Sequence, residues 1–444
     1  MAVAGGCVAT VAVVILTMVS PVAGLGVTAV LGLLLWAWRR PVIAASVLAF
    51  LTAAFPKAGV KVGEFPFPVF LFGLMAAVFI LWVSSPRRTH PPTTVLFVGA
   101  YLTLVAAKAL QFASDGPASV FAFVAWAALP IVVLAMTTST VEVDPRFARA
   151  LQWGFLFSVL YAGVQFVGGL EATAIPGLTQ ALGDDITEKH NVIYVQGGEN
   201  FSKIPSTYHN GNIYGLAAAV FLTHAMIRLL ARRGTKLDVA VAVGSVLAIG
   251  LSGSRTAILA AGAAILILVL RRGSMRWRVG IVAITLLVAG AVLVLEPDLA
   301  RRYTVDAVIS SGGSGRSAIW ATYLSAMTPT DLLLGADTRA GVPDGWVGVL
   351  LQIGILGALL LIAAVVTLMK RRPEWRLILV VLFIGAVIDS SYVTFPTWFI
   401  PAALVAVSLR GDSYTASNSL SAVAKSHDPA LRNPIATKAT PIQY

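Results

Sequence analysis

The stretch LAIGLSGSRTAILAAGAAILILVL (247–270) is almost wholly apolar, yet Arg255 stands inside it. An unpaired guanidinium in hydrocarbon costs from about 3 kcal/mol upward, so it demands an anionic partner or a watery cavity. Lys236 and Arg271 bracket this region with 34 residues between them. One straight helix of that length would run ~51 Å, too long for a single crossing of a ~30 Å hydrocarbon core. Two slightly short helices fit, turning at Ser252-Gly253-Ser254, with Arg255 opening the returning helix. A helix N-terminus carries positive partial charge. Guanidinium and dipole share a sign there and make an anion site, for which a lipid phosphate is the natural ligand at that depth. The competing reading is an arginine that snorkels to the outer headgroups.

A second arginine has the same setting. In SSGGSGRSAIWATYLSAMTPTDLLLGAD (310–337), a Gly-rich turn precedes Ile319, Trp320, Tyr323, Leu324 and Met327, which share one helical face. Such a helix suits the outer leaflet or a cap on a bundle. Arg316 stands near its start. Alone it reads as a solvated loop charge; beside Arg255 it completes a clamp for a diphosphate, because the planar arginine fork binds phosphate oxygens bidentately.

The third group is polar and uncharged, apart from one lysine. GENFSKIPSTYHNGNIYGLAAAVFL (198–222) crowds Tyr208, His209, Asn210, Asn212 and Tyr214 at the opening of an apolar span, just after Lys203. An interfacial aromatic belt with helix caps would use some of these side chains. The density of amides and hydroxyls exceeds what capping needs, and such groups suit the hydroxyls of a sugar. No HExxH, no GK[ST] phosphate loop and no acidic Ca²⁺ triplet occurs in the chain. Metal-dependent and nucleotide-dependent chemistries are disfavoured, and no cofactor is expected.

The elements that must position these groups are membrane helices. The chain is 58% hydrophobic and 12% charged, with a mean hydropathy of +0.86, whereas a soluble domain carries about 25% charged residues. Cys7 is the sole cysteine, which excludes a disulfide framework. The net charge of +12 does not point to nucleic acid, because the basic residues cluster between apolar spans. Apolar runs fall at 4–20, 22–38, 41–56, 66–84, 93–112, 118–137, 149–168, 206–227, 237–253, 255–270, 279–295, 345–369, 377–394 and 396–409. The first 38 residues hold no charged side chain and read as two spans rather than a leader. The expected fold is an all-α polytopic bundle of about 12–14 spans.

Arg39–Arg40, Arg87–Arg88, Arg146 with Arg149, Arg228 to Lys236, Arg271 to Arg278, and Lys370 to Arg376 then share one face. The positive-inside rule makes that face and both termini cytoplasmic. Two long external loops follow, 169–205 and 296–344, the second holding amphipathic helix; loops of that length in a compact bundle are usually functional or disordered. The chain divides into a transmembrane domain (1–409) and a Ser-, Ala-, Thr- and Pro-rich tail (410–444) read as disordered and cytoplasmic. Spans one to seven carry almost no charge except Lys108, near the outer end of the fifth.

In this order the pieces resemble the O-antigen ligase and polymerase superfamily of membrane glycosyltransferases. STYHNGNIYG (206–215) is similar to the Asn-containing turn that opens a central span of that family, and SGSRTA (252–257) to its Ser-Arg hairpin. GRSAIW (315–320) with LLLGAD (332–337) resembles its external Arg-x-x-x-Trp and Leu-Gly pattern, and DGWVGVLLQIGILGALLLI (344–362) its closing span with Gly-Ile-x-Gly. The likeness covers roughly residues 198–365, under half of the chain. It implies glycan transfer from a polyprenyl-diphosphate donor to a glycan or lipid-glycan acceptor, outside the cytoplasmic membrane and without metal or nucleotide. It also implies that Arg255 and Arg316 engage the diphosphate. Ligases of this family carry a His just before the closing span, where this chain has Asp344, and no His occurs between His224 and His427. That departure leans toward a polymerase or a divergent transferase.

The expected chemistry is an inverting single displacement. The two arginines hold the leaving diphosphate, and a base activates the acceptor hydroxyl: Asp344 by position or His209 by chemistry. Lys203, Tyr208, Asn210, Asn212, Trp320 and Arg339 are candidate glycan or acceptor contacts. Asp337, Asp344 and Asp389 could each equally be caps. Membrane lipids and envelope-assembly proteins are the remaining expected partners. A flippase for polyprenyl-linked sugars is the rival from another class, and a peptidoglycan-type polymerase the nearest rival enzyme. A flippase needs polar groups reachable from both faces, whereas here they gather in the external half.

Overall fold

A computed structural model of the protein describes residues 28, 31–32, 35, 40–62, 65–84, 92–112, 126–127, 130–131, 145–183, 192–193, 201–208, 210–272, 316–336, 345–369 and 375–388. Helix dominates them. In chain order they form α1 (Pro41–Ala54), β1 (Gly59–Val62), β2 (Phe65–Pro68), α2 (Val69–Ser84), α3 (Pro92–Gln111), α4 (Pro145–Gly168) and α5 (Leu170–Thr173). Then follow β3 (Val192–Ile193), β4 (Phe201–Ser202), α6 (Gly211–Leu230), α7 (Lys236–Ser252), α8 (Arg255–Arg272), α9 (Arg316–Ala326), α10 (Pro329–Leu334), α11 (Trp346–Met369) and α12 (Trp375–Ile388).

Four of the helices are long and apolar enough to cross a membrane: Pro92–Gln111, Arg146–Gly168, Gly211–Leu230 and Trp346–Leu368. Shorter apolar helices accompany them at Val42–Ala54, Val69–Val78 and Leu377–Ile388. Val243, Leu247, Leu160, Val164, Leu359 and Val366 are exposed on the outside of the bundle. A surface with so much contiguous Val and Leu suits a hydrocarbon solvent. The expected spans at 4–20, 22–38, 118–137, 279–295 and 396–409, and the tail, lie wholly or largely outside the described residues.

The centre of the bundle is α6, whose apolar window is 78% buried. Its run Ala217-Ala218-Ala219-Val220-Phe221 is buried on every side, the pattern of a helix with no outward face. Around it stand α7, α8 and α12, with α4 behind α7 and α1 against α4. Phe155 of α4 stacks on Phe221 with ring centroids 4.3 Å apart. At Gly154, an added Cβ would land on the Phe50 carbonyl, so glycine lets α1 and α4 touch backbone to backbone. A second contact set joins α11 to α3 and α10.

The all-α expectation is modified at the loops. β1 and β2 pair antiparallel, Val60 opposite Phe67, and β3 pairs with β4. The 169–183 segment joins the first hairpin, with Gly59 N donating to Gly177 O at 3.0 Å and Leu182 N to Gly59 O at 2.8 Å. These short strands satisfy the backbone of connections that must stay compact over a bundle end. The helix expected from residue 206 begins at Gly211, and 204–208 is buried non-helical chain instead.

Candidate functional site

The hairpin turn around Ser252 forms as its residue types demand. Gly253 has φ 57°, a left-handed helix end that favours glycine. The Ser252 hydroxyl donates to Ile249 O at 2.7 Å and accepts from Ser254 N at 3.3 Å. The Ser254 hydroxyl accepts from Ala257 N at 3.2 Å and so caps α8. Ser252 and Ser254 are buried, and Arg255 behind them is half-buried at the helix start.

Two glycines of α6 seat this turn. A Cβ on Gly215 would stand 2.5 Å from Ser252 Oγ and 2.8 Å from Ala257 Cβ. One on Gly211 would stand 2.6 Å from Ser252 O and 2.8 Å from Lys203 Cβ. Gly211 and Gly215 are four apart, the small-xxx-small spacing that lets membrane helices approach closely. The hairpin tip and the opening turn of α6 therefore occupy one place.

The chain before α6 is threaded into the bundle. Ile204 N donates to Leu251 O at 3.0 Å. Ser206 has φ 55°, left-handed for a residue that is not glycine, which is uncommon and costs energy. Two bonds hold it there: the Ser206 hydroxyl donates to Ser158 O at 2.5 Å, and Gln165 Nε2 to Ser206 O at 3.0 Å. Tyr208 donates to Ala53 O at 3.4 Å and lies 5.4 Å from the Tyr214 ring. Asn210 caps α6, its Oδ1 accepting from Ile213 N at 2.9 Å, while Lys203 Nζ donates to Asn212 Oδ1 at 3.0 Å. Thr207 Oγ1, Tyr214 OH and Gln165 Oε1 are buried and hydrogen-bond to no described residue.

A strap made of α9 and α10 lies against α11. Arg316 opens α9, and Trp320 meets Trp346 edge-on at 5.9 Å, over Gly345. α10 opens with a capping box. Asp331 accepts from Thr328 N at 3.0 Å and from the Thr328 hydroxyl at 2.7 Å, and the same hydroxyl accepts from Asp331 N. The hydroxyl bond, then the amide bond, hold the Asp331 carboxyl below its usual 3.8. α10 ends on Gly335, which docks where α11 is broken at Gly354 (φ 66°, ψ 179°).

The sequence-derived residues divide accordingly. Lys203, Asn210, Asn212 and the helix start at Arg255 meet at one junction between α6 and the α7–α8 hairpin. Tyr208 is 2% exposed and braces the buried segment from within the core, a different position from the ligand-facing one expected of it. Trp320 packs against the start of α11. His209, Arg339 and Asp344, with Asp337 and Asp389, lie outside the described residues, as does the side chain of Arg316. Sequence reading passed over Gly211 and Gly215, although G-x-x-x-G spacing marks them, and over Ser158 and Gln165, which carry no motif. Among the described residues, no group of three His, Cys, Asp or Glu side chains is gathered to hold a metal ion.

The junction offers a cation at a helix start, an ammonium, and side-chain amides and hydroxyls in a mostly apolar surround. Groups of these types have the chemistry to hold an anion and to hydrogen-bond hydroxylated groups beside it. No protein-family model matches the chain, and neither curated proteins nor solved structures yield a similar protein.

Proposed function

We propose that the protein is a membrane glycosyltransferase of the O-antigen ligase or polymerase kind. It moves a glycan from a polyprenyl-diphosphate donor to an acceptor hydroxyl at the outer face of the cytoplasmic membrane. The observation that supports this most is the seating of the Ser252–Ser254 turn on Gly211 and Gly215, which puts the Arg255 helix start beside Lys203 and Asn212. In this reading both termini are cytoplasmic, the chain crosses 12–14 times, and 169–205 and 296–344 are the external loops.

The acceptor oxygen attacks the anomeric carbon as the bond from that carbon to the diphosphate oxygen breaks. Arg255 and Arg316 take up the charge growing on the leaving polyprenyl diphosphate. Asp344 or His209 receives the acceptor proton, and Lys203, Asn210 and Asn212 orient the sugar. No metal is required, because the arginines supply the positive charge.

The test uses purified protein in liposomes with polyprenyl-diphosphate oligosaccharide, products resolved by size, and Arg255→Ala in parallel. A ladder of products that the variant fails to make supports a polymerase, and one discrete transfer to a second acceptor supports a ligase. Donor that changes leaflets with no new glycosidic bond rejects the enzyme. That last outcome has its own observation in favour: α11 is interrupted inside its span at Gly354, and discontinuous helices are a habit of transporters.

A further inference from the structure

The clasp that holds the strap is built around Lys108. Lys108 stands in the last turn of α3, 6% exposed, and its ammonium donates to the Gly335 carbonyl at 2.6 Å across 227 positions of sequence. Phe112 presents its ring 5.6 Å from the same ammonium. Among the described residues no carboxylate lies within ion-pair distance of it; Asp331 acts on it only at longer range. A lysine so placed is expensive in a membrane, and the contact it makes is the end of α10.

The partner surface is equally specific. Ala336 N donates to Leu351 O at 2.7 Å, a bond from the strap to the broken span. A Cβ on Gly335 (φ 84°) would stand 2.6 Å from Gln352 O, and one on Gly354 would run into Leu333 O. Beside the break, Gln352 Oε1 accepts from Trp126 Nε1 at 2.6 Å, and the Trp126 carbonyl accepts from Tyr101 of α3 at 3.2 Å. Backbone freed by a broken helix must find partners within the protein. Here the strap supplies one of them and Lys108 fixes the strap.

We infer that Lys108 is a positioning residue: its bond to Gly335 sets the place of the strap that carries Arg316 and Trp320 relative to the bundle that carries Arg255. The clasp stands on the geometry alone; its consequence for the donor rests on the proposed function. Nonlocal hydrogen bonds of this kind determine local opening, which amide exchange reads directly.

The experiment is hydrogen exchange by mass spectrometry on the full chain in nanodiscs, followed by donor titration in liposomes. Lys108→Met removes the ammonium, Lys108→Arg returns a cationic donor, and Gly354→Ala disturbs the interlock with Lys108 intact. The amides of 332–336 should exchange at least tenfold faster in Lys108→Met and Gly354→Ala, with α6 unchanged. Lys108→Arg should recover much of the protection. The KM for donor should rise more than kcat falls. Unchanged exchange at 332–336 in both disrupting variants overturns the clasp, and faster exchange with unchanged donor dependence overturns the positioning role. A wild-type protein that makes no glycosidic bond sinks the proposed function while leaving the exchange result standing.

Discussion

The two ends of α6 are held by different devices. At the C-terminal end, Asp238 is 1% exposed yet fully engaged. Its carboxylate accepts from Arg228 Nε at 3.0 Å, Gln152 Nε2 at 2.7 Å, Thr235 N at 2.7 Å and the Thr235 hydroxyl at 2.8 Å. At the N-terminal end, glycines make room, Ser206 is held left-handed, and three buried polar atoms hydrogen-bond to nothing described. A satisfied network is a structural anchor. Strain and unused hydrogen-bond capacity are what a protein retains where a ligand is to be met. The C-terminal end has strain and orphans of its own, Arg232 at φ 57° and both ring nitrogens of His224 buried without a described partner, so what separates the two ends is the glycine seat of one and the carboxylate network of the other.

Breaking the anchor should produce the largest loss of stability. Asp238→Ala leaves Arg228 and Gln152 without their acceptor and should cost about 3 kcal/mol or more, read as a lower unfolding temperature in detergent. Gly215→Leu comes next: it drives a side chain into Ser252 and Ala257 and should cost about 3 kcal/mol, while displacing Arg255 and abolishing transfer. Arg255→Ala should do the reverse of Asp238→Ala. It should leave the unfolding temperature nearly unchanged and lower transfer on the order of 100-fold, and equal effects of these two variants on stability would erase the distinction between the ends.

The smallest effect belongs to the strap. Thr328→Ala removes the cap of α10 and should cost about 1 kcal/mol. The Asp331 carboxyl is held below its usual 3.8 by Thr328. Its contribution is therefore present above that value and is lost as pH falls through the lower folded pKa. Protection factors at 329–334, taken against the intrinsic exchange rate at each pH, should fall on acidification in the wild type and depend less on pH in Thr328→Ala.

Much of this was legible in the chain. Helix positions follow from apolar length, and the Ser252–Ser254 turn follows from the conflict between 34 residues and the thickness of a bilayer. The cap at Asn210 and the helix starts at Arg255 and Arg316 follow from residue type. The break at Gly354 was not legible, because glycines at 354 and 357 of LLQIGILGALL (350–360) sit in a mostly apolar run long enough to read as one continuous span. What unwinds it is Leu333 and Gly335 arriving from 20 residues earlier. The role of Lys108 was hidden for the same reason: a lysine near a helix end reads as a snorkelling charge until Gly335 O is found 2.6 Å away.

The sequence by itself determined the apolar helices among the described residues and the turn at Ser252–Ser254, since these depend on hydropathy, length and local backbone chemistry. Only the tertiary structure decided that Gly211 and Gly215 seat the hairpin, that Tyr208 belongs to the core, and that the strap enters a broken span. Each of those depends on two backbones approaching within contact distance, and periodicity along one segment carries no information about what arrives from another.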